Sequence, residues 1–409
     1  MRRMLMLIAA LVTIVVGLCA GASGAEASWS VGYGEAEITP APRQVQMSGY
    51  GRERYAKGVL APLMTQAVAM RDSEGRTGVL VSADVLGYDR TTVDAIRNKI
   101  GRKHGIAAEN VMLSASHTHW GPAIRFSVSY SIGGPNVWYM GLMEEKILGC
   151  VDAAIENLSS ASIEYGWMDF REIGCNRRRP TDTGVGWGPN REGSFDGHTP
   201  ILRIKREAGP RRLIVVGHAC HPTSSGTIEK WSPDYPGAMR DCITGKLSET
   251  KAVFVQGCGG DAKIVYEDEK GKLVFCSDPD HARQAGVKLG EAVLKRLEEG
   301  RMIRLAGKLG CSLASGRISY GERWPREEME RQAYEGSTKS WPTWAARQAL
   351  AMPDESESFR YDVQVWKLGG RLTIFGMEGE ICSPWGPRLR ALAGTEDAMV
   401  IGYANSTGS

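Results

Sequence analysis

The chain has 409 residues, with 50 lysines and arginines against 47 aspartates and glutamates and a formal net charge of +3. Length and ordinary globular composition exclude a disordered or fibrous protein and imply one large α/β domain or two compact halves. So even a charge balance sets up no field for a nucleic-acid partner, and the one local basic cluster, Arg177-Arg178-Arg179, reads first as a solvated loop.

Arg2 and Arg3 precede an apolar stretch from Met4 to Leu18, and small residues follow at Ser23-Gly24-Ala25. Charge, length and exit chemistry are those of a secretory signal peptide over residues 1–25, with cleavage expected near Ala25 or Ala27. The expected destination is secreted or periplasmic, and an uncleaved signal acting as a membrane anchor is the alternative. Leu18 disfavours lipid modification of Cys19, which needs a small residue before it. Beyond Cys19 eight cysteines remain with no Cys-x-x-Cys pair, so no structural zinc knuckle is expected and at most one or two disulfides.

Short apolar runs bounded by glycine or polar turns come next: 78–82, 111–114, 213–216, 253–255 and 372–375. Their length and β-branching predict buried strands. Amphipathic spacing predicts helices over 91–104, with Ile96 and Ile100 on one face, over 143–158 and over 280–297. The fold class expected is α/β (α+β), with mixed β-sheets flanked by helices and a metal site at the strand ends. Thr181 to Gly197, rich in glycine and polar residues, reads as a long loop.

Chemistry concentrates where those strands end. After Val111-Met112-Leu113-Ser114 comes His117-Thr118-His119-Trp120-Gly121-Pro122. In extended chain, residues i and i+2 share a side, so two imidazoles would project together and suit a metal; two hydrogen-bonded loop histidines are the alternative. A second strand ends in His218-Ala219-Cys220-His221-Pro222, where Pro222 breaks the strand and favours His221 as the site residue, leaving His218 packed. A third runs into Gly257-Cys258-Gly259-Gly260-Asp261-Ala262-Lys263, whose glycine N–H groups suit an oxyanion. A fourth leads to Glu378-Gly379-Glu380, where a carboxylate would complete a His-His-Glu set of the kind catalytic zinc uses. Cys220, Cys258 and Cys382 lie near these elements and read as small buried residues rather than thiolate ligands.

The run Asn110 to Pro122, the His221-Pro-Thr-Ser224 segment, Gly260-Asp261, Gly379-Glu380 through Arg388-Leu389-Arg390, and the opening Val31 to Pro40 with Met47 to Tyr50 resemble the neutral/alkaline (non-lysosomal) ceramidase family. The resemblance implies a zinc (Zn2+) enzyme that hydrolyses the amide of ceramide to a fatty acid and sphingosine. Carried over, it makes His117, His221 and Glu380 metal ligands and His119 a second histidine beside the metal. It also implies a tyrosine ligand after Ile401 to Asn405, where the chain stops at Ser409 and Thr407 stands at one matching place. The expected domain is therefore residues 28–409, incomplete at its C-terminus and without the family's C-terminal immunoglobulin-like domain. The family's serine after Gly-Asp is replaced by Lys263, which would turn outward to an anionic substrate or have its pKa depressed.

What remains is metal-activated water as nucleophile, His119 relaying a proton, Gly259 and Gly260 holding the oxyanion, and Asp261 orienting the donors or a histidine. The substrate expected is ceramide or another N-acyl compound. Phe126, Tyr130, Trp138, Tyr139 and Met140 form either an apolar mouth with peripheral membrane contact or ordinary core. A metal-dependent esterase on the same scaffold and a non-catalytic binding protein are the alternatives.

Overall fold

A computed structural model of the chain describes residues 29–50, 53–126, 134–322, 324–336, 341–351 and 358–407. The expected signal segment, Cys19 and Tyr130 lie outside the described residues. The largest sheet among these has nine strands. Its path runs Thr250–Gln256, Arg212–His218, His198–Arg206, Ser159–Asp169, Trp29–Glu37, Met64–Arg71, Thr77–Ala83 and Val111–Ala115, with Ile303–Leu305 beside Ser159–Asp169. The pair at each end of the path is parallel and the pairs between are antiparallel. All five predicted strands are present.

The sheet curls until its two ends face each other. Ser82 Oγ donates to the Phe254 carbonyl at 2.6 Å, and Gln66 Nε2 donates to the Ala252 carbonyl at 2.9 Å. The strand ends after Val111–Ala115 and Arg212–His218, remote along the sheet, thereby come together. Strand alternation builds a core on either side. Val79, Val81, Val111, Leu113, Ile214, Val216 and Phe254 pack with the helices, while Leu80, Met112, Leu213, Val215, Val253 and Val255 pack against a second sheet.

Four helices pack on the first of these cores, Arg90–His104, Val137–Glu156, Tyr235–Lys246 and Pro279–Glu298. The first of them buries Ile96 and Ile100 on the face its spacing predicts, with Val93 beside them. Three more, Arg326–Glu335, Trp341–Ala351 and Trp385–Ala393, follow later in the chain. The second sheet holds Leu309–Ser319, Ser358–Leu368, Leu372–Met377 and Ala398–Ile401. Asn405, at φ +58°, fastens it to the first. Its backbone N–H donates to Leu113 O at 2.6 Å, its Oδ1 accepts from Leu113 N at 3.2 Å, and its Nδ2 donates to Gln364 Oε1 at 2.9 Å.

A third sheet contains a feature that the loop expected over 181–197 overlooks. Gly174–Thr181 and Gly184–Asn190 pair as a hairpin beside Ala262–Glu267 and Leu273–Phe275. Its glycines and polar residues hide the alternation because the hairpin stands out from the core, with Val185 and Trp187 exposed. Gly184, at φ +126°, closes its turn. The eight described cysteines carry free thiols, so none of the expected disulfides is present among them. No described helix is long and apolar enough to cross a membrane.

His218 is packed, as Pro222 implied. It is buried among Phe170, Phe195 and Tyr235, with Nδ1 3.0 Å from Thr199 Oγ1, and burial pushes its pKa down to about 3. An imidazole that stays neutral when folded but protonates near pH 6.5 when unfolded stabilises the unfolded chain as pH falls. In metal-free protein, the stability lost between pH 7.5 and 5 should be about 2 kcal/mol smaller in His218→Gln than in wild type, read from denaturant midpoints at each pH. Asn405→Ala should cost about 2–4 kcal/mol, through an unsatisfied Leu113 N–H and a strained left-handed backbone. An unchanged unfolding midpoint would rule out that staple.

Candidate metal centre

His117 and His119 meet for a reason different from the one expected. His117 is not extended: at φ +65° it takes a left-handed turn just past Val111–Ala115, and this turn folds the two rings toward each other. Their Nε2 atoms lie 3.3 Å apart. His117 Nδ1 donates to the Leu86 carbonyl at 2.5 Å, which fixes its tautomer and leaves the Nε2 lone pair free. His119 is tied to the neighbouring strand end, its backbone N–H donating to Pro222 O at 3.1 Å. Its ring lies against Gly49, where a Cβ would come within 2.4 Å of Nδ1, and edge-on to Tyr50 at 5.2 Å. Only glycine permits that approach.

His221 arrives from the other end of the curled sheet. Its Nδ1 donates to the Gly259 carbonyl at 3.0 Å, so its Nε2 is also presented unprotonated. The ring centroids of His117 and His221 are 4.4 Å apart at 83°. His117, His119 and His221 form a group able to hold a metal ion. Glu380 follows the strand Leu372–Met377 and faces two of them, Oε1 3.5 Å from His117 Nε2 and Oε2 3.7 Å from His221 Nε2. Ligands about 2.0–2.2 Å from one tetrahedral zinc sit about 3.3–3.6 Å from each other, so the donor set and its spacing fit that ion.

Electrostatics favour the same occupant. Burial holds all three imidazoles below their ordinary pKa; for His119 and His221 repulsion from neighbouring charged groups adds to it. Neutral imidazole is the form that ligates. Tyr403, which no sequence pattern singles out, stands at φ +54° with its ring 4.2 Å from that of His117 and its hydroxyl 3.3 Å from His221 Nδ1. Burial raises its phenol pKa well above the ordinary value, and the Glu380 charge adds to this. A left-handed tyrosine after a short strand carries no periodic signal.

The turn from Gly257 to Asp261 does different work from that expected of it. The N–H of Gly259 donates to Gly257 O and that of Gly260 to Ile381 O, each at 2.8 Å, so neither is free for an oxyanion. Asp261 orients no histidine. Its Oδ1 accepts from both the backbone N–H and the hydroxyl of Ser383 at 2.7 Å, and its Oδ2 accepts from Asn176 at 3.2 Å. The turn is a splint that holds His221 through one carbonyl and the Glu380 loop through Gly260 and Asp261. Of the two alternatives expected for Lys263, the structure has the second: it faces inward, its Nζ donating to Thr223 O at 2.5 Å and Thr223 Oγ1 at 3.0 Å. Burial lowers its pKa.

Cys220 and Cys258 are buried and Cys382 is half-buried. Of the aromatic and apolar residues after the His-Thr-His turn, Tyr139 is core and Met140 packs against it, whereas Phe126 and Trp138 are exposed. Thr407 is engaged with Tyr88, its N–H and hydroxyl both directed to that carbonyl.

Comparison with known proteins places this arrangement. The fold matches a crystal structure of neutral ceramidase from Pseudomonas aeruginosa with a TM-score of 0.72 and 19% identity, covering 93% of this chain and 68% of that one. A second structure, a ceramidase complexed with C2, matches at 0.72 and 18% over 93% and 69%. The fold is therefore of the neutral ceramidase type, a mixed α/β arrangement, here with its histidine cluster at the strand ends. Residues 29–224 match the model of the family described as neutral/alkaline non-lysosomal ceramidase, N-terminal, the family that the motifs resemble. Neutral ceramidases of Drosophila pseudoobscura pseudoobscura and Drosophila melanogaster are 27% identical over 169 residues and 25% over 159. These matches span 39% and 37% of this chain but only 23% and 22% of the relatives' length.

If the splint sets the Glu380 loop, Asp261→Ala should weaken Zn2+ affinity about 10–100-fold in competition with a chelator. Unaltered affinity would show that the loop holds its place without that carboxylate.

Proposed function

We propose that the chain is an exported, zinc-dependent hydrolase of N-acyl amide bonds, acting on ceramide or another N-acyl compound. One observation carries the reading: two imidazoles fixed by carbonyls so that their Nε2 lone pairs converge, with the Glu380 carboxylate 3.5 and 3.7 Å away. The family supports the substrate class, since the relatives are neutral ceramidases. Export rests on the basic, apolar and small-residue order of residues 2–25.

His117, His221 and Glu380 hold the metal in this reading. When bound, zinc supplies Lewis acidity that lowers the pKa of a water from about 16 toward 7 and polarises the scissile carbonyl. The remaining work belongs to the chain. Glu380 is the open side of the cluster, its side chain 45% exposed while those of His117 and His221 are at most 1% exposed, so substrate approaches over the carboxylate. His119, its Nε2 3.3 Å from His117 Nε2, is placed to take the proton that the attacking water loses and return it to the departing amine, so that the ring ends neutral as it began. A side-chain nucleophile from the glycine turn is not needed, and Lys263, spent on Thr223, does not offer one.

Metal content and ceramide turnover are measured together. Wild type dialysed against Zn2+ should retain about one equivalent and cleave a fluorescent short-chain ceramide. His117→Ala should lose both metal and activity, whereas His119→Ala should keep the metal and lose activity about 10²–10⁴-fold. Wild type without stoichiometric metal sinks the mechanism, and metal loss in His119→Ala makes that residue a ligand instead.

A further inference from the structure

Lys263 is buried, has no carboxylate within ion-pair distance among the described residues, and gives its ammonium to one residue, Thr223. The Thr223 carbonyl has a second donor, the Tyr50 hydroxyl at 2.8 Å. Both lone pairs of that oxygen are thereby filled, one by a phenol and one by a cation. The preceding carbonyl, Pro222 O, accepts from the backbone N–H of His119 at 3.1 Å. Two successive carbonyls of the turn that carries His221 thus serve the neighbouring His-Thr-His turn. The Tyr50 ring completes the link. It stands edge-on to the His119 imidazole at 5.2 Å, with the Arg54 guanidinium 4.6 Å over its face. That guanidinium also donates to His119 O at 3.0 Å and to Ser48 O at 2.8 Å. His117 and His221 are each held by a carbonyl at Nδ1, whereas the His119 ring is set by what packs on it, Gly49 and Tyr50.

Burying an ammonium is costly unless it is hydrogen-bonded, and a charge-assisted bond is stronger than a neutral one. With an apolar residue at 263, Thr223 O would still be satisfied by Tyr50, so the cation is not there to fill an empty acceptor. What it adds is stiffness in the carbonyl to which Tyr50 is tied. Resting on the amide-hydrolase reading, we propose that Lys263 and Tyr50 are positioning residues for His119: by clamping Thr223 O from two sides, they hold the Tyr50 ring against the imidazole that moves the proton in amide cleavage. Neither side chain touches substrate in this role. Proton transfer is sensitive to placement, a displacement of about 1 Å costing on the order of 10²-fold in rate. Position 263, a serine in the family the motifs resemble, therefore serves the proton-transfer residue in this chain.

The test is a double-mutant cycle on the full chain dialysed against Zn2+, with a fluorescent short-chain ceramide as substrate. Lys263→Met and Tyr50→Phe should each lower kcat about tenfold, with KM within about twofold of wild type and zinc stoichiometry kept. Lys263→Gln, which can still donate to Thr223 O, should recover part of the loss. In a His119→Ala background neither substitution should lower kcat by more than about a further twofold, because residues acting through one group lose their effect with it. A second readout needs no turnover. In protein labelled with nitrogen-15 histidine, the His119 ring signals, identified by their absence in His119→Ala, should shift or broaden in both variants. Unchanged kcat in both variants, equal losses in the wild-type and His119→Ala backgrounds, loss of zinc from either variant, or unmoved His119 signals in both overturns the proposal. An inactive wild type defeats the amide-hydrolase reading instead, and there, or where His119→Ala loses its zinc, the ring signals decide the positioning. If Lys263→Met does not fold, Tyr50→Phe carries the same cycle.

Discussion

Curling the nine-stranded sheet until its ends touch is the constraint from which the centre follows. The His117 turn grows from the strand at one end of the hydrogen-bonded path and the His221 turn from the strand next to the other end, and a flat sheet would hold them several strand spacings apart. Closure is made by side chains on backbone, Ser82 to Phe254 and Gln66 to Ala252, rather than by another ladder. Buried hydroxyl and amide groups need partners, so these two contacts are costly to lose and act as locks.

Closure brings the histidines into one place, and desolvation decides their state. Neutral rings packed this tightly point lone pairs at each other unless something electrophilic lies between them. Leu86 and Gly259 take the Nδ1 protons, so the arrangement is committed to presenting Nε2 inward. Glu380 is admitted as the one anionic donor, and its loop is pinned by the turn that also fixes His221. Two donors distant in sequence thus share one support.

Much of this was legible in the sequence, and the limits have physical causes. Buried strands at 78–82, 111–114, 213–216, 253–255 and 372–375 announce themselves because burial on both faces demands uninterrupted apolar residues. Where those runs stop, His117, His221 and Glu380 stand out as polar groups at the ends of apolar strands, and the structure brings all three together. The hairpin over 174–190 escaped because it buries little and therefore lacks alternation. Gly260 looked like a free donor because its partner, Ile381, lies far along the chain, and Gly259 because its bond to Gly257 closes within the turn itself. Asn405 and Tyr403 depend on left-handed backbone, which composition does not disclose for residues other than glycine.

Asn405 also bears on the order of folding. It joins the last described strand region to Leu113 near the start of the chain, and the cluster draws on His117, His221 and Glu380 from three widely separated segments. Contacts so distant in sequence close the longest loops and form late. An ion binding here would find no preorganised donors in a nascent chain, so it would stabilise the finished fold without templating it, and its capture would report that folding was complete.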